Sequence, residues 1–220
     1  MGTDWVEWHR RYDSSESSLS GRLAVVQHHI AQALDAVAPG PVRVVSGCAG
    51  QGRDLLDVLA THPRQGEVTA RVVEVDDRLA DDARVRAAAA DLTAVEVVCG
   101  DASSTSAYEG AVPADLVLMC GIFGNVDDDD VRVTVGLLPS LCAPGATVIW
   151  TRYPRDPEVL PTISGWFAGS GFEEVALETG PCGRSFGVGV HRLAVPPPPY
   201  RPGVPMFTFH ADPDPTARPA

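Results

Sequence analysis

The run Ser46-Gly47-Cys48-Ala49-Gly50-Gln51-Gly52 lies between two segments of opposite character, and it limits the fold more than any other part of the chain. Before it, Pro41-Val42-Arg43-Val44-Val45 reads as a short buried strand. After it, Arg53-Asp54-Leu55-Leu56-Asp57-Val58-Leu59 has the apolar spacing of a helix. A strand that enters a glycine turn and leaves as a helix aims backbone N–H groups and a positive helix end at one point. Such a point suits the anionic part of a cofactor.

The dinucleotide fingerprint Gly-x-Gly-x-x-Gly does not fit here. Gly50-Gln51-Gly52 is followed by Arg53-Asp54-Leu55, so the third glycine is missing. About twenty residues on, Ala70-Arg71-Val72-Val73-Glu74-Val75-Asp76 reads as a second apolar strand ending in acids. An acid there reaches the hydroxyls of a bound ribose, or caps the helix that begins near Arg78. Glu74 and Asp76 are both candidates for the ribose, with Asp76 or Asp77 better suited to the cap. A third strand, Val95-Glu96-Val97-Val98-Cys99, runs into Gly100-Asp101-Ala102. Asp101 is placed either to meet a ligand or to make a turn. A fourth, Ala114-Asp115-Leu116-Val117-Leu118-Met119-Cys120, leads to Gly121-Ile122-Phe123-Gly124-Asn125-Val126.

In their order and spacing over residues 42–126, these segments resemble class I S-adenosylmethionine (SAM)-dependent methyltransferases. The first motif of that family is acidic-x-Gly-x-Gly-x-Gly. Gly50 and Gly52 match its last two glycines, while Ser46 stands at the acidic position and Cys48 at the first glycine. The resemblance implies an α/β fold, a Rossmann-like doubly wound sheet of seven strands with an antiparallel last strand and the order 3-2-1-4-5-7-6. It further implies SAM held by Ser46, Gly47, Cys48, Ala49, Gly50 and Gly52 of the turn. Glu74 and Val75 would meet the ribose side, and Asp101 and Ala102 the adenine. Cys120 and Gly121 would pass the methionine tail. Tyr12 is a candidate in a cofactor lid. The departures at Ser46 and Cys48 keep a second possibility open, a non-methylating SAM-using enzyme or a SAM-binding protein of the same fold.

The remaining segments suit that plan. Ala146-Thr147-Val148-Ile149-Trp150 reads as a fifth strand, preceded by a helix end over residues 141–145. A helix from about Val159 leads to a sixth strand near Phe172, and Ser185-Phe186-Gly187-Val188-Gly189-Val190-His191-Arg192-Leu193 reads as the last. Strands alternating with helical patterns argue for a parallel sheet covered on both faces. Three parts follow: an N-terminal helical extension (1–40), the cofactor-binding domain (41–195) and a Pro-rich tail (196–220). In the extension, Val26, Ile30, Leu34 and Val37 form one apolar helix face, and the opening holds Trp5, Trp8 and Tyr12. In the tail, Met206-Phe207-Thr208-Phe209 is apolar enough to dock as a short strand.

Charge and composition narrow the partners. The 220 residues include 17 basic and 29 acidic side chains, a net charge of −12. A nucleic-acid binder needs a basic footprint, and no Lys/Arg cluster is present. A small-molecule acceptor is therefore expected, with no nucleic acid and no membrane partner; no run of 18 apolar residues occurs. Asn125, Arg152 and Tyr153 are the candidate substrate contacts, with bare solvent exposure as the alternative for Arg152. The cysteines at 48, 99, 120, 142 and 182 lack a C-x-x-C spacing, and the first residues lack a secretion signal, which predicts a cytoplasmic protein with reduced thiols. Asp127-Asp128-Asp129-Asp130 reads as a helix start, not a metal site. His9, His28, His29 and His191 are possible bases, with His28 and His29 off the apolar stripe. The acceptor atom, the catalytic residue and the oligomeric state stay open at this point.

Overall fold

The computed structural model describes residues 18–154, 156, 158–180 and 186–209. Seven strands form one sheet: β1 (Val42–Gly47), β2 (Val68–Glu74), β3 (Val95–Cys99), β4 (Ala114–Met119), β5 (Cys142–Arg152), β6 (Phe172–Thr179) and β7 (Gly187–Leu193). Their order is β3-β2-β1-β4-β5-β7-β6. The first five lie parallel, and β7 runs antiparallel to both β5 and β6. The expected α/β sheet is the one observed. Five helices belong to the described residues: α1 (Ser18–Ala36), α2 (Arg53–Leu59), α3 (Asp77–Ala89), α4 (Asp128–Leu137) and α5 (Val159–Gly169).

The central strands are apolar at successive positions because both faces are covered. Val45, Val117, Val148 and Trp150 pack on one face with α4 and α5. Val44, Leu116, Leu118 and Ile149 point the other way, against α1, α2 and α3. The period of two along each strand thus feeds two cores from one sheet. In β7, Gly189 lies opposite Trp150, and a Cβ there would fall 2.1 Å from the indole. The glycine leaves the space that the buried Trp150 fills.

β5 begins earlier than expected. The sequence suggests a helix end over residues 141–145, but a 3₁₀ turn, Leu138–Leu141, closes the helical segment and the strand starts at Cys142. Its register jumps from Ala114↔Cys142 to Leu116↔Thr147. Pro144 and Gly145, the latter with φ of 77°, fall inside that bulge. A missing proline N–H costs nothing where no ladder bond is due.

Helix α1 uses Val26, Ile30 and Leu34 as its buried stripe, as the spacing predicts. His28 is exposed, but His29 is buried and its Nε2 lies 2.6 Å from Glu178 Oε1 on β6. Its place three residues after Val26 puts it on the margin of the stripe, where the sheet edge supplies a carboxylate. The end of α1 is held by a distant side chain. Arg64 donates to the carbonyls of Leu34 (2.5 Å), Val37 (2.6 Å), Ala38 (2.9 Å) and Gly40 (3.1 Å). A guanidinium there satisfies orphan carbonyls and meets the negative end of the helix.

His191 is part of the core rather than of a ligand crevice. Trp150 Nε1–H donates to its Nδ1 (3.2 Å), and its ring stacks on Phe167 at 4.3 Å. An indole nitrogen only donates, so the ring proton sits on Nε2, facing Ser164 Oγ at 3.2 Å. The Ser164 hydroxyl in turn donates to Glu174. Burial pulls the His191 pKa down to about 4, against a smaller upward pull from Glu174.

Two outcomes follow from these contacts. Replacing Arg64 with Ala should cost about 2–3 kcal/mol in urea unfolding, with Arg64→Lys recovering part of it. His191 has a folded pKa below its unfolded one, so its contribution is complete above pH 6.5 and falls as pH drops toward 4. Between pH 7.5 and 4.5 the unmodified protein should lose about 2–3 kcal/mol more stability than His191→Phe.

Candidate cofactor and substrate site

The sheet order turns back on itself between β1 and β4, and in an open sheet of this kind a ligand crevice is expected at the carboxyl ends of the strands beside that point. Ser46 and Gly47 end β1, and Ser46 is only 1% exposed. The chain then turns through three left-handed residues: Cys48 (φ 50°), Gly50 (φ 56°) and Gly52 (φ 66°). Cys48 thus adopts the backbone conformation that the glycine of the resembling motif would hold. Gly52 is the N-cap of α2, and its carbonyl accepts from Leu56 N–H at 2.8 Å. Ala49 N–H donates to the Val73 carbonyl at 3.1 Å, which fastens the turn to β2.

Glu74 joins three parts of the crevice. Its Oε2 accepts from Gly50 N–H at 2.7 Å, and its Oε1 accepts from Asp76 N–H at 2.9 Å. Its main-chain carbonyl accepts from Gly100 N–H at 2.8 Å. The carboxylate is buried at the end of β2. Asp76 itself caps α3, accepting from Arg78 N–H at 3.0 Å and Leu79 N–H at 3.4 Å, as the sequence suggests. Val75, next to Glu74, is an apolar side chain that stands 67% exposed.

Asp101 is exposed, and its Oδ1 accepts from Ser103 N–H at 2.8 Å. It therefore makes the turn that the sequence offers as one of its two roles. Ala102 is buried behind it. The Cys48 thiol lies among these groups. Burial pushes its pKa above the ordinary range, and the Glu74 and Asp101 carboxylates add to the rise. The thiol is thus kept protonated, in the company of both acids.

Tyr108 escapes a sequence reading, because nothing in Thr105-Ser106-Ala107-Tyr108 marks it. It is fully buried, and its hydroxyl donates to the Ala102 carbonyl at 3.1 Å. A Cβ on Gly47 would come within 2.4 Å of that hydroxyl. One phenol therefore spaces the glycine turn from the Asp101 turn.

The loop after β4 is tied down from β5. Gly121, with φ of 79°, donates its N–H to Thr151 Oγ1 at 2.8 Å. Asn125 Nδ2 donates back to the Gly121 carbonyl at 2.7 Å. Arg152 departs from the expectation of bare solvent exposure, since it is 8% exposed and turned inward. Its guanidinium donates to the Phe123 carbonyl and, at 2.7 Å, to Asp128 Oδ1 at the start of α4. The reason lies in the strand: β5 runs on to Arg152, which keeps this residue inside the sheet instead of in a loop. Tyr153 follows, half-buried, with its N–H beside Gly124. Cys120 is half-buried, its thiol pushed up by burial and then by Asp54. Asp54 is the second residue of α2. Its own pKa is raised by burial, partly offset by the Leu55 N–H and by Arg22 on α1. Tyr12 and His9 lie outside the described residues.

No family model matches the chain, and no curated protein matches it. Solved structures do. The magnesium protoporphyrin IX methyltransferase (ChlM) of Synechocystis PCC 6803 with bound SAM superposes at a TM-score of 0.62 and 13% identity, over 86% of this chain and 91% of that one. The chain has the class I methyltransferase fold. An O-methyltransferase family protein from Burkholderia thailandensis superposes at 0.56 with 18% identity, over 86% of this chain and 69% of the other. An rRNA methylase from Streptococcus thermophilus does so at 0.59 with 12% identity, over 76% and 96%. The methyltransferase fold therefore serves more than one class of acceptor. Among the described residues, no helix is long and apolar enough to cross a membrane, and no His/Cys/Asp/Glu group is arranged for a metal.

The spacing role of Tyr108 has a direct test. Gly47→Ala should destabilise the protein by about 2–3 kcal/mol, because the buried, hydrogen-bonded phenol has nowhere to go. In a thermal or urea double-mutant cycle, adding Tyr108→Phe should return part of that loss.

Proposed function

We propose that this chain is a SAM-dependent methyltransferase that transfers a methyl group to a small-molecule acceptor by in-line displacement. The observation that carries the reading is the Glu74 carboxylate, buried at the carboxyl end of β2 and bonded to Gly50 N–H. A carboxylate has about four lone-pair sites, and two are used by Gly50 and Asp76. The other two suit a pair of vicinal ribose hydroxyls. Val75 offers an apolar surface to a purine face, and the free oxygen of Asp101 suits an exocyclic amine. The left-handed turn at Cys48, Gly50 and Gly52 lets backbone approach the ligand closely.

Ser46 supplies no charge where the resembling motif has an acid. Another group, or water, takes that work. Bound SAM would supply an already activated methyl group, so the protein's task is alignment and exclusion of water. Thr151, Asn125 and Arg152 fix the loop over residues 121–125 for that purpose. Asn125 and Tyr153 are then the acceptor-facing candidates, while Arg152 acts through the loop that it holds. Neither His191 nor His29 is free to serve as a base, since each is committed to a partner away from the crevice.

A small-molecule acceptor is favoured over nucleic acid by the net charge of −12 and by the acids Asp127–Asp130 beside the Asn125 loop. A phosphate backbone would be repelled there. A cytoplasmic setting suits the unpaired thiols of Cys48, Cys99, Cys120 and Cys142.

Calorimetry with S-adenosylhomocysteine tests the reading. One-to-one binding is expected, weakened about a hundredfold by Glu74→Gln and about tenfold by Asp101→Asn, with no heat from NAD. A folded sample that binds NAD, or binds S-adenosylhomocysteine equally well in all three forms, would overturn it.

A further inference from the structure

The Pro-rich segment after β7 does not hang free. Residues 200–208 cross the end of the sheet and fasten on the segment that follows Asp101. Thr105 receives four of the bonds. Its hydroxyl donates to the Arg201 carbonyl (2.7 Å) and accepts from Val204 N–H (2.9 Å). Its main-chain N–H donates to the Val204 carbonyl (3.0 Å), and its carbonyl accepts from the Tyr200 hydroxyl (2.7 Å). Next, Met206 N–H donates to the Ser103 carbonyl (2.7 Å), and the Met206 carbonyl accepts from the buried Thr134 hydroxyl (2.8 Å). Thr208 N–H donates to Asp130 Oδ2 (2.7 Å). Met206 and Phe207 are buried in the same core as Ala102 and Tyr108.

These bonds end on the residues that shape the crevice. Ser103, whose carbonyl is held by Met206, is the residue whose N–H fixes the Asp101 carboxylate. Thr105 opens the 3₁₀ turn Thr105–Tyr108, and Tyr108 sets the gap between Ala102 and Gly47. Two routes therefore run from the strap to the nucleoside side, one through Ser103 and one through Tyr108. We infer that the strap is a positioning device for nucleoside recognition, and that Thr105 is its anchor. The strap touches neither ligand nor reacting atoms in this account. It acts by holding Asp101 where an exocyclic amine must meet it, and so it sets preference for adenine over a purine that lacks that amine. The inference rests on the cofactor reading above.

The test compares binding of S-adenosylhomocysteine with that of its inosine counterpart, in which a carbonyl replaces the 6-amino group. Thr105→Val keeps the shape of the side chain and removes both hydroxyl bonds. Tyr200→Phe removes one bond from the strap side and serves as the milder variant. Asp101→Asn is the reference for lost recognition. The unmodified chain should prefer the adenine ligand. Thr105→Val should weaken that ligand about tenfold while changing the inosine ligand little, and Tyr200→Phe should do the same to a smaller degree. Added to Asp101→Asn, Thr105→Val should cost almost nothing further in the preference. A loss of thermal stability with the preference intact, or an equal loss for both ligands, would make the strap a mere brace and overturn the inference. If the unmodified chain bound neither ligand, the cofactor reading itself would fall, and the inference with it.

Discussion

Three N–H groups from three different turns converge on Glu74. Gly50 and Asp76 reach its carboxylate, and Gly100 reaches its carbonyl. Each belongs to a separate wall of the crevice: the glycine turn after β1, the entrance to α3 and the turn after β3. A buried carboxylate is costly to desolvate, and it persists here because each oxygen accepts a short bond from the backbone. The same bonds fix where the three walls stand relative to one another. Removal of this one side chain would leave Gly50 N–H without its partner and release the glycine turn from β2 at that point.

A second set of constraints comes from the end of β5 and from the strap. Arg152 and Thr151, at the end of β5, hold the loop after β4 through Phe123 and Gly121. The strap over residues 200–208 holds the loop after β3 through Ser103 and Thr105. Strand ends thus carry the groups proposed to face the ligand, while the loops between them are pinned by residues far away in sequence. Such a site is preorganised, so little ordering remains to be done when a ligand binds.

The sheet was legible because each central strand is a continuous apolar run between turn residues, a pattern with few alternatives. The glycine turn, the Asp76 cap and the acid-rich start of α4 were legible for the same local reasons. What lay beyond reach depended on contacts between distant residues. Arg152 could be read as exposed because its partners, Phe123 and Asp128, are 29 and 24 residues away. His29 lay just off a clean stripe, and only the sheet edge that brings Glu178 explains its burial. Thr105 and Tyr108 carry no motif at all, and their roles arise from the strap and from Gly47. Met206 and Phe207 do dock as their apolar character suggests, but by separate hydrogen bonds and one isolated bridge, Ser104↔Pro205, instead of a strand. The prolines before them lack the N–H groups that a ladder requires.

Where a SAM-like ligand meets the backbone decides whether Glu74 organises a nucleoside site. Amide NMR spectra recorded as S-adenosylhomocysteine is added would map this directly. The expected result is a set of shifts at Gly50, Val75, Gly100, Asp101 and Gly121, with the amides around Ser164 and His191 unmoved. Shifts confined to the α5 side of the sheet, or none at saturating ligand, would contradict a nucleoside site organised by Glu74.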